Sequence, residues 1–189
     1  MKKRPQRLKD LVSEGSWTLF LDRDGVINRR LPDDYVKHEN EFEFIEGVEN
    51  AIAVFSKIFH RIIVVTNQQG IGKGLMTEEM LASVHKKMLT GIEKAGGKID
   101  KIYFCKHRKE DNHFDRKPSV GMALKAKHDF PDIHFGYSVM AGDSESDMIF
   151  GHRAGMFTAL IGDDTAIARK NPKLVDFYFT SLKEMAEAF

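Results

Sequence analysis

Ser16-Trp17-Thr18-Leu19-Phe20-Leu21-Asp22-Arg23-Asp24-Gly25 decides how the rest of the chain is read. Its first six residues are an apolar, β-prone run of the kind that forms a buried strand. The run ends in a carboxylate, Asp22, with a second acid two residues on and a glycine after it. Asp and Gly are common turn residues, so a solvated turn competes with a functional site. Two acids this close resist joint ionisation unless a cation or a cationic side chain offsets them. The flanking sequence separates the two readings.

Downstream, apolar runs keep ending in polar clusters. The stretch from Val26 to Glu43 is mostly polar and predicts a loop of about 20 residues, a length that is usually functional in a compact domain. Val48, Ile52, Phe55 and Phe59 recur at helical spacing and predict an amphipathic helix over 46–59. A second apolar strand, 61–67, ends in Thr66 and Asn67. The Gly-rich segment 68–76 is no P-loop. Asn67 stands where the first glycine belongs, and Gly74 rather than Ser or Thr follows Lys73.

Thr77 caps a helix running to about Ala95, with Met80, Val84, Met88 and Ile92 on its inner face. A third strand, 101–105, leads through a polar loop to Arg116-Lys117-Pro118 and a helix over 119–129. A fourth strand, 137–141, is followed by Gly142-Asp143 and a helix over 144–153. Strands at 157–161 and 175–179 follow, and Ser181-x-x-Glu184 has the spacing of a capping box for a last helix.

Strands that are apolar throughout, alternating with helices, predict an α/β fold. The expected architecture is a single doubly wound, Rossmann-like parallel sheet with helices on both faces. Composition agrees with one domain: 189 residues, 42% hydrophobic and 30% charged. A net charge of +1 supplies no basic field for nucleic acid. Cys105, the single cysteine, excludes an intrachain disulfide framework and suits a reducing compartment. The basic start, 1–7, is followed by mixed polar sequence rather than the apolar core of a signal peptide, and no apolar run has transmembrane length. Residues 1–15 are therefore expected to form an N-terminal arm, with the domain over 16–189 in a cytoplasmic protein.

In an open parallel sheet, ligands bind beyond the carboxyl ends of the strands. Four polar clusters fall there: Asp22 with Asp24, Thr66 with Asn67, Arg116 with Lys117, and Asp143 with Asp147. Carboxylates suit a hard divalent cation, while hydroxyl, amide and ammonium donors suit phosphoryl oxygens. The set Asp22-x-Asp24-Gly25-Val26-Ile27-Asn28, Thr66-Asn67-Gln68, Lys117-Pro118 and Gly142-Asp143-x-x-x-Asp147 resembles, in order, the four motifs of the haloacid dehalogenase superfamily of phosphatases. Asp22-Arg23-Asp24-Gly25, Thr66-Asn67-Gln68-x-Gly70-Ile71 and Arg116-Lys117-Pro118 resemble the branch of histidinol phosphatases and D-glycero-D-manno-heptose 1,7-bisphosphate phosphatases.

The resemblance implies an aspartyl-phosphate mechanism, with Asp22 as nucleophile and Asp24 as acid and base. Thr66 and Lys117 would hold the transferring phosphoryl group, while Asn67 and Arg116 would contact the substrate beyond it. Mg²⁺ would sit on Asp22, the backbone carbonyl of Asp24, and Asp143, with Asp147 steadying Lys117 or the metal shell. The gaps between motifs leave no room for a cap domain. Relatives in this branch carry a cysteine-rich zinc loop. Here Cys105, His107, His113 and Asp115 fall in its place, so a Cys-His-His-Asp zinc site and a degenerate metal-free loop stand as alternatives.

The implied partner is a small phosphorylated substrate, a sugar bisphosphate, taken by a monomer, with Arg116 and Lys73 available for a second anionic group. Histidinol phosphate and nucleic-acid 3′ ends are alternative substrates. A phospho-accepting receiver domain is the non-enzyme alternative, and it lacks an acceptor here because the third strand ends at Tyr103-Phe104-Cys105.

Overall fold

The computed structural model describes residues 8–12 and 16–189. Six strands, β1 (Thr18–Leu21), β2 (Arg61–Asn67), β3 (Lys101–Cys105), β4 (Ser138–Gly142), β5 (Phe157–Ile161) and β6 (Phe177–Phe179), form one sheet in the order β3-β2-β1-β4-β5-β6. Every pairing is parallel. The helices are α1 (Leu8–Val12), α2 (Val48–Ile58), α3 (Gln69–Gly72), α4 (Glu78–Lys94), α5 (Gly121–Asp129), α6 (Glu145–Ala154), α7 (Ala166–Lys170) and α8 (Leu182–Glu187).

Strand alternation divides the core. Leu19, Leu21, Ile62 and Val64 face a cluster with residues of α1, α2, α4 and α8, while Phe20, Ile63 and Val65 face one with residues of α5 and α6. Burial on both faces is why these strands carry no polar alternation. The doubly wound α/β architecture is as the sequence predicts.

Several boundaries and faces differ in detail. Part of the expected arm lies outside the described residues, but α1 puts Leu8 and Val12 into the core. In α4 the buried stripe is Leu81, Val84, His85, Met88 and Ile92, and Met80 is only half-buried. Ser181 caps α8 through Glu184 N (3.1 Å), but the Glu184 carboxylate turns to Thr180, at 2.6 Å from its N and 2.7 Å from its Oγ1.

Candidate active site

The strand order reverses direction between β1 and β4, the place where an open α/β sheet leaves a crevice. Asp22 N donates to Ala141 O (3.0 Å), carrying the ladder one residue past β1 and setting the Asp22 side chain at that crevice. Lys117, from the loop ahead of α5, places Nζ 2.9 Å from Asp22 Oδ1 and 2.6 Å from Asp147 Oδ1, and donates to Val65 O (2.8 Å). Those three partners match the three donors of an ammonium group. Burial disfavours the charged lysine, but Asp147 and Asp22 outweigh it and keep Lys117 protonated. Burial also pushes the Asp22 carboxyl up, against the pull of Lys117 and with the charges of Asp147 and Asp143 adding to the rise.

Asp24 is held differently. Arg23 Nη2 donates to both of its carboxylate oxygens (2.8 and 2.9 Å), with Nε 3.2 Å from Oδ1. Asn28 Nδ2 (3.0 Å) and Gln68 Nε2 (2.8 Å) complete the cradle. Burial alone would raise this carboxyl, yet Arg23, helped by Asn28 and Gln68, holds it below the usual carboxylate range. Arg23 itself is 0% exposed.

Asp143 follows β4 and faces Gly25, which sits at φ +89°. A Cβ on Gly25 would come 2.0 Å from Asp143 Oδ2, so the glycine serves both the turn and the close approach of the two loops. Among the described residues, Asp22, Asp143 and Asp147 are the group of three or more acidic, His or Cys ligand atoms lying within 4.8 Å of one another. Arg30 Nη2 lies 3.1 Å from both Asp24 O and Asp143 Oδ1, so these two oxygens already converge on a cationic atom. Burial, with the charge of Asp147 adding, lifts the Asp143 carboxyl to about 6 against the pull of Arg30. Crowded, oxygen-only anionic ligands of this kind fit Mg²⁺. An ion held by Asp22, Asp143 and the backbone carbonyl of Asp24 would supply charge neutralisation to phosphoryl oxygens at the crevice.

A cavity of about 510 Å³ opens over these groups. Asp22, Asp24, Thr66, Asn67, Arg116 and Lys117, all expected at the site, line it. Thr66 Oγ1 accepts from Gln68 Nε2 (2.9 Å), leaving its hydroxyl hydrogen to donate elsewhere. The Asn67 amide is paired with the Lys117 backbone, accepting from its N and donating to its O, both at 3.0 Å. Its clear role here is to clamp the lysine's peptide. Arg116 Nη1 donates to His107 O (3.1 Å), and Lys73 Nζ donates to Tyr35 OH (2.9 Å).

The four residues of the zinc alternative do not come together. Cys105 is buried in the apolar cluster beside α5, and burial pushes its thiol up. His107 and His113 stack on each other at 3.7 Å between ring centroids, while Asp115 pairs with Lys125. No three of these four residues bring ligand atoms within 4.8 Å of one another. The zinc alternative is not supported by this arrangement.

The sequence assigns no role to Arg23, Asn28 and Gln68, which stand within the quoted motifs, nor to Arg30, Tyr35 and His85. Two carried a signal. Arg23 is the lone cation between two acids, and His85 is the polar member of the apolar stripe Leu81-His85-Met88-Ile92.

The HAD-hydrolase-like family model matches residues 114–185. The chain belongs to the haloacid dehalogenase superfamily and is a phosphatase of that class. Within the superfamily it is similar to the D-glycero-α-D-manno-heptose-1,7-bisphosphate 7-phosphatase of Mycobacterium bovis, 34% identical over 172 residues, 91% of this chain and 90% of that one. It is 39% identical over 150 residues to the β-anomer 7-phosphatase of Vibrio cholerae, 76% of this chain and 79% of that one. The crystal structure of the D,D-heptose 1,7-bisphosphate phosphatase from B. bronchiseptica, complexed with magnesium and phosphate, superposes with a TM-score of 0.79 at 28% identity, over 90% of this chain and 96% of that chain.

Proposed function

We propose that this protein removes the 7-phosphate of a D-glycero-D-manno-heptose 1,7-bisphosphate, as a Mg²⁺-dependent, cytoplasmic, monomeric enzyme. Residues 16–189 would make the catalytic domain, with α1 packed against it. The observation that carries the reading is Lys117 Nζ, 2.9 Å from the Asp22 carboxylate at the β1–β4 crevice, with Asp24 at the mouth of the same cavity.

Asp22 attacks phosphorus as the bond to the sugar oxygen breaks; Asp24, ionised in the resting site, takes up a proton as the negative charge of the bound phosphate raises its carboxyl, and delivers that proton to the departing oxygen. A water then attacks the aspartyl-phosphate, giving its proton to the Asp24 carboxylate and releasing inorganic phosphate with Asp22 restored. Lys117 offsets the charge of an anion attacking an anion. Arg30, Lys73 and Arg116 line the remaining cavity wall and suit a second phosphate. No helix among the described residues is long and apolar enough to cross a membrane.

The test compares kcat/KM for the heptose bisphosphate, histidinol phosphate and a simple monophosphate in wild type and Arg116→Ala. The bisphosphate should be preferred, and truncation should cost it about 2 kcal/mol or more, the scale of a broken desolvated charge pair. The monophosphate should lose much less. A preference for histidinol phosphate, or equal losses, removes the heptose assignment.

A further inference from the structure

Arg23 is the largest fully buried side chain of the described residues, and it lies between a carboxylate at the cavity and a histidine in the core. On one side its Nε and Nη2 fork grips Asp24. On the other, Nη1 lies 3.3 Å from His85 Nε2. A guanidinium cannot accept a hydrogen bond, so Nε2 must be the acceptor, which fixes the imidazole proton on Nδ1. His85 is 8% exposed on the inner face of α4, with the Phe104 ring of β3 edge-on at 6.2 Å. A buried, permanently charged group needs every face partnered, because an unmade hydrogen bond there costs the full desolvation of the donor.

We propose that His85 is a positioning residue for the phosphatase reaction: by anchoring the far end of Arg23, it holds the Arg23 fork in the orientation that aims the Asp24 carboxyl at the leaving oxygen. This rests on Asp24 being the acid and base. The chain of contacts runs from the α4 core face to the reacting group through one rigid planar cation. A fork fixed at one end only could rotate about its stem, and the carboxylate would follow it. Gln68, which bridges Asp24 Oδ2 and Thr66 Oγ1, ties the same carboxylate to the phosphoryl-binding hydroxyl. Among the described residues, His85 is the side chain that anchors Nη1 on the far side of the cradle.

The consequence is specific to substrates whose leaving group needs a proton. A sugar or alkyl phosphate needs the Asp24 proton as its bond breaks, whereas p-nitrophenyl phosphate leaves as a stable anion. Single-turnover formation of the phosphoenzyme should therefore be measured with both substrates in wild type, Asp24→Asn, His85→Leu, His85→Gln and Arg23→Lys. His85→Leu removes the acceptor and should slow the alkyl phosphate at least about tenfold more than the aryl phosphate, within the range that one proton transfer contributes. His85→Gln keeps an acceptor near the Nε2 position and should recover most of that loss. Arg23→Lys keeps the charge without the fork and should show the same selective defect, so the proposal stays testable if His85→Leu does not fold.

Equal losses on both substrates in His85→Leu and Arg23→Lys, beside a selective loss in Asp24→Asn, make His85 a packing residue and overturn the inference alone. If Asp24→Asn itself loses both substrates equally, the acid/base reading falls and takes the inference with it.

Discussion

Lys117 Nζ lies 2.9 Å from Asp22 and 2.6 Å from Asp147, and all three side chains are buried. Removing one partner from such a cluster leaves like charges facing each other out of water. Lys117→Met is therefore expected to destabilise the fold by about 3–5 kcal/mol, the usual cost of breaking a buried pair from one side. Urea unfolding at neutral pH measures it, and a loss below about 1 kcal/mol, the scale of an exposed pair, contradicts the buried ion-pair account. Asp22→Asn runs the other way. It relieves the repulsion from Asp147 and Asp143 while Asp147 still neutralises Lys117, so the variant should keep wild-type stability yet lose turnover. Near-normal phosphate release by Asp22→Asn would sink its role as nucleophile. Much at this scale is legible, because Asp22 and Asp143 are marked by position at a strand end and Lys117 by the Arg-Lys-Pro that closes the loop after β3. The Arg23 fork is not, since nothing in a linear sequence shows whether an arginine beside two acids turns inward or into solvent.

The helix α4 shows what periodicity can and cannot supply. Its amphipathic stripe was expected on Met80, Val84, Met88 and Ile92, and the last three are buried. The first place belongs to Leu81, which rotates the stripe enough to carry His85 inside. Local spacing fixes a helix's apolar face only to within a residue or so, and the sheet against which it packs selects among neighbouring choices. Burial first, and then the charge of Arg23, depress the His85 pKa to about 3. Its unfolded value is about 6.5, so between these two values the unfolded chain binds the extra proton. Stability is thus lost as pH falls below about 6.5, by at most about 1.4 kcal/mol per pH unit from this group. Asp22 and Asp143, whose carboxyls are raised, contribute with the opposite sign in overlapping ranges. The informative quantity is therefore the difference between wild type and His85→Gln, unfolded in urea at pH 7 and pH 5. Wild type should lose more on acidification, and parallel curves would show that His85 is not buried neutral.

Across the whole molecule, the order β3-β2-β1-β4-β5-β6 brings together side chains from positions 22, 66, 117 and 143. The all-apolar strands announced a parallel sheet, but no local signal states which strand lies beside which, because pairing is a property of the assembled layers. Polar clusters at strand ends mark the crevice in the sequence, and the strand order supplies the reason they meet. Such convergence concentrates negative charge: Asp22, Asp143 and Asp147 offer ligand oxygens within 4.8 Å of one another, with one lysine shared between two of them. The folded protein holds these acids together, whereas the unfolded chain lets them separate. A cation that binds only the folded arrangement must then stabilise the entire fold, by about 2.7 kcal/mol when its free concentration is 100 times its Kd. For a chain of this length that corresponds to a rise in Tm of roughly 5–10 °C. Thermal unfolding in EDTA and in graded Mg²⁺ should show that rise. Asp143→Asn should lose most of the response, and its metal-free form should melt no lower than metal-free wild type, since one of the crowded charges is gone. Arg30→Ala should respond at lower Mg²⁺ than wild type, because its guanidinium lies 3.1 Å from two of the oxygens the ion would need. A Tm indifferent to Mg²⁺ in wild type, or an undiminished response in Asp143→Asn, would show that the acidic cluster is not a metal site.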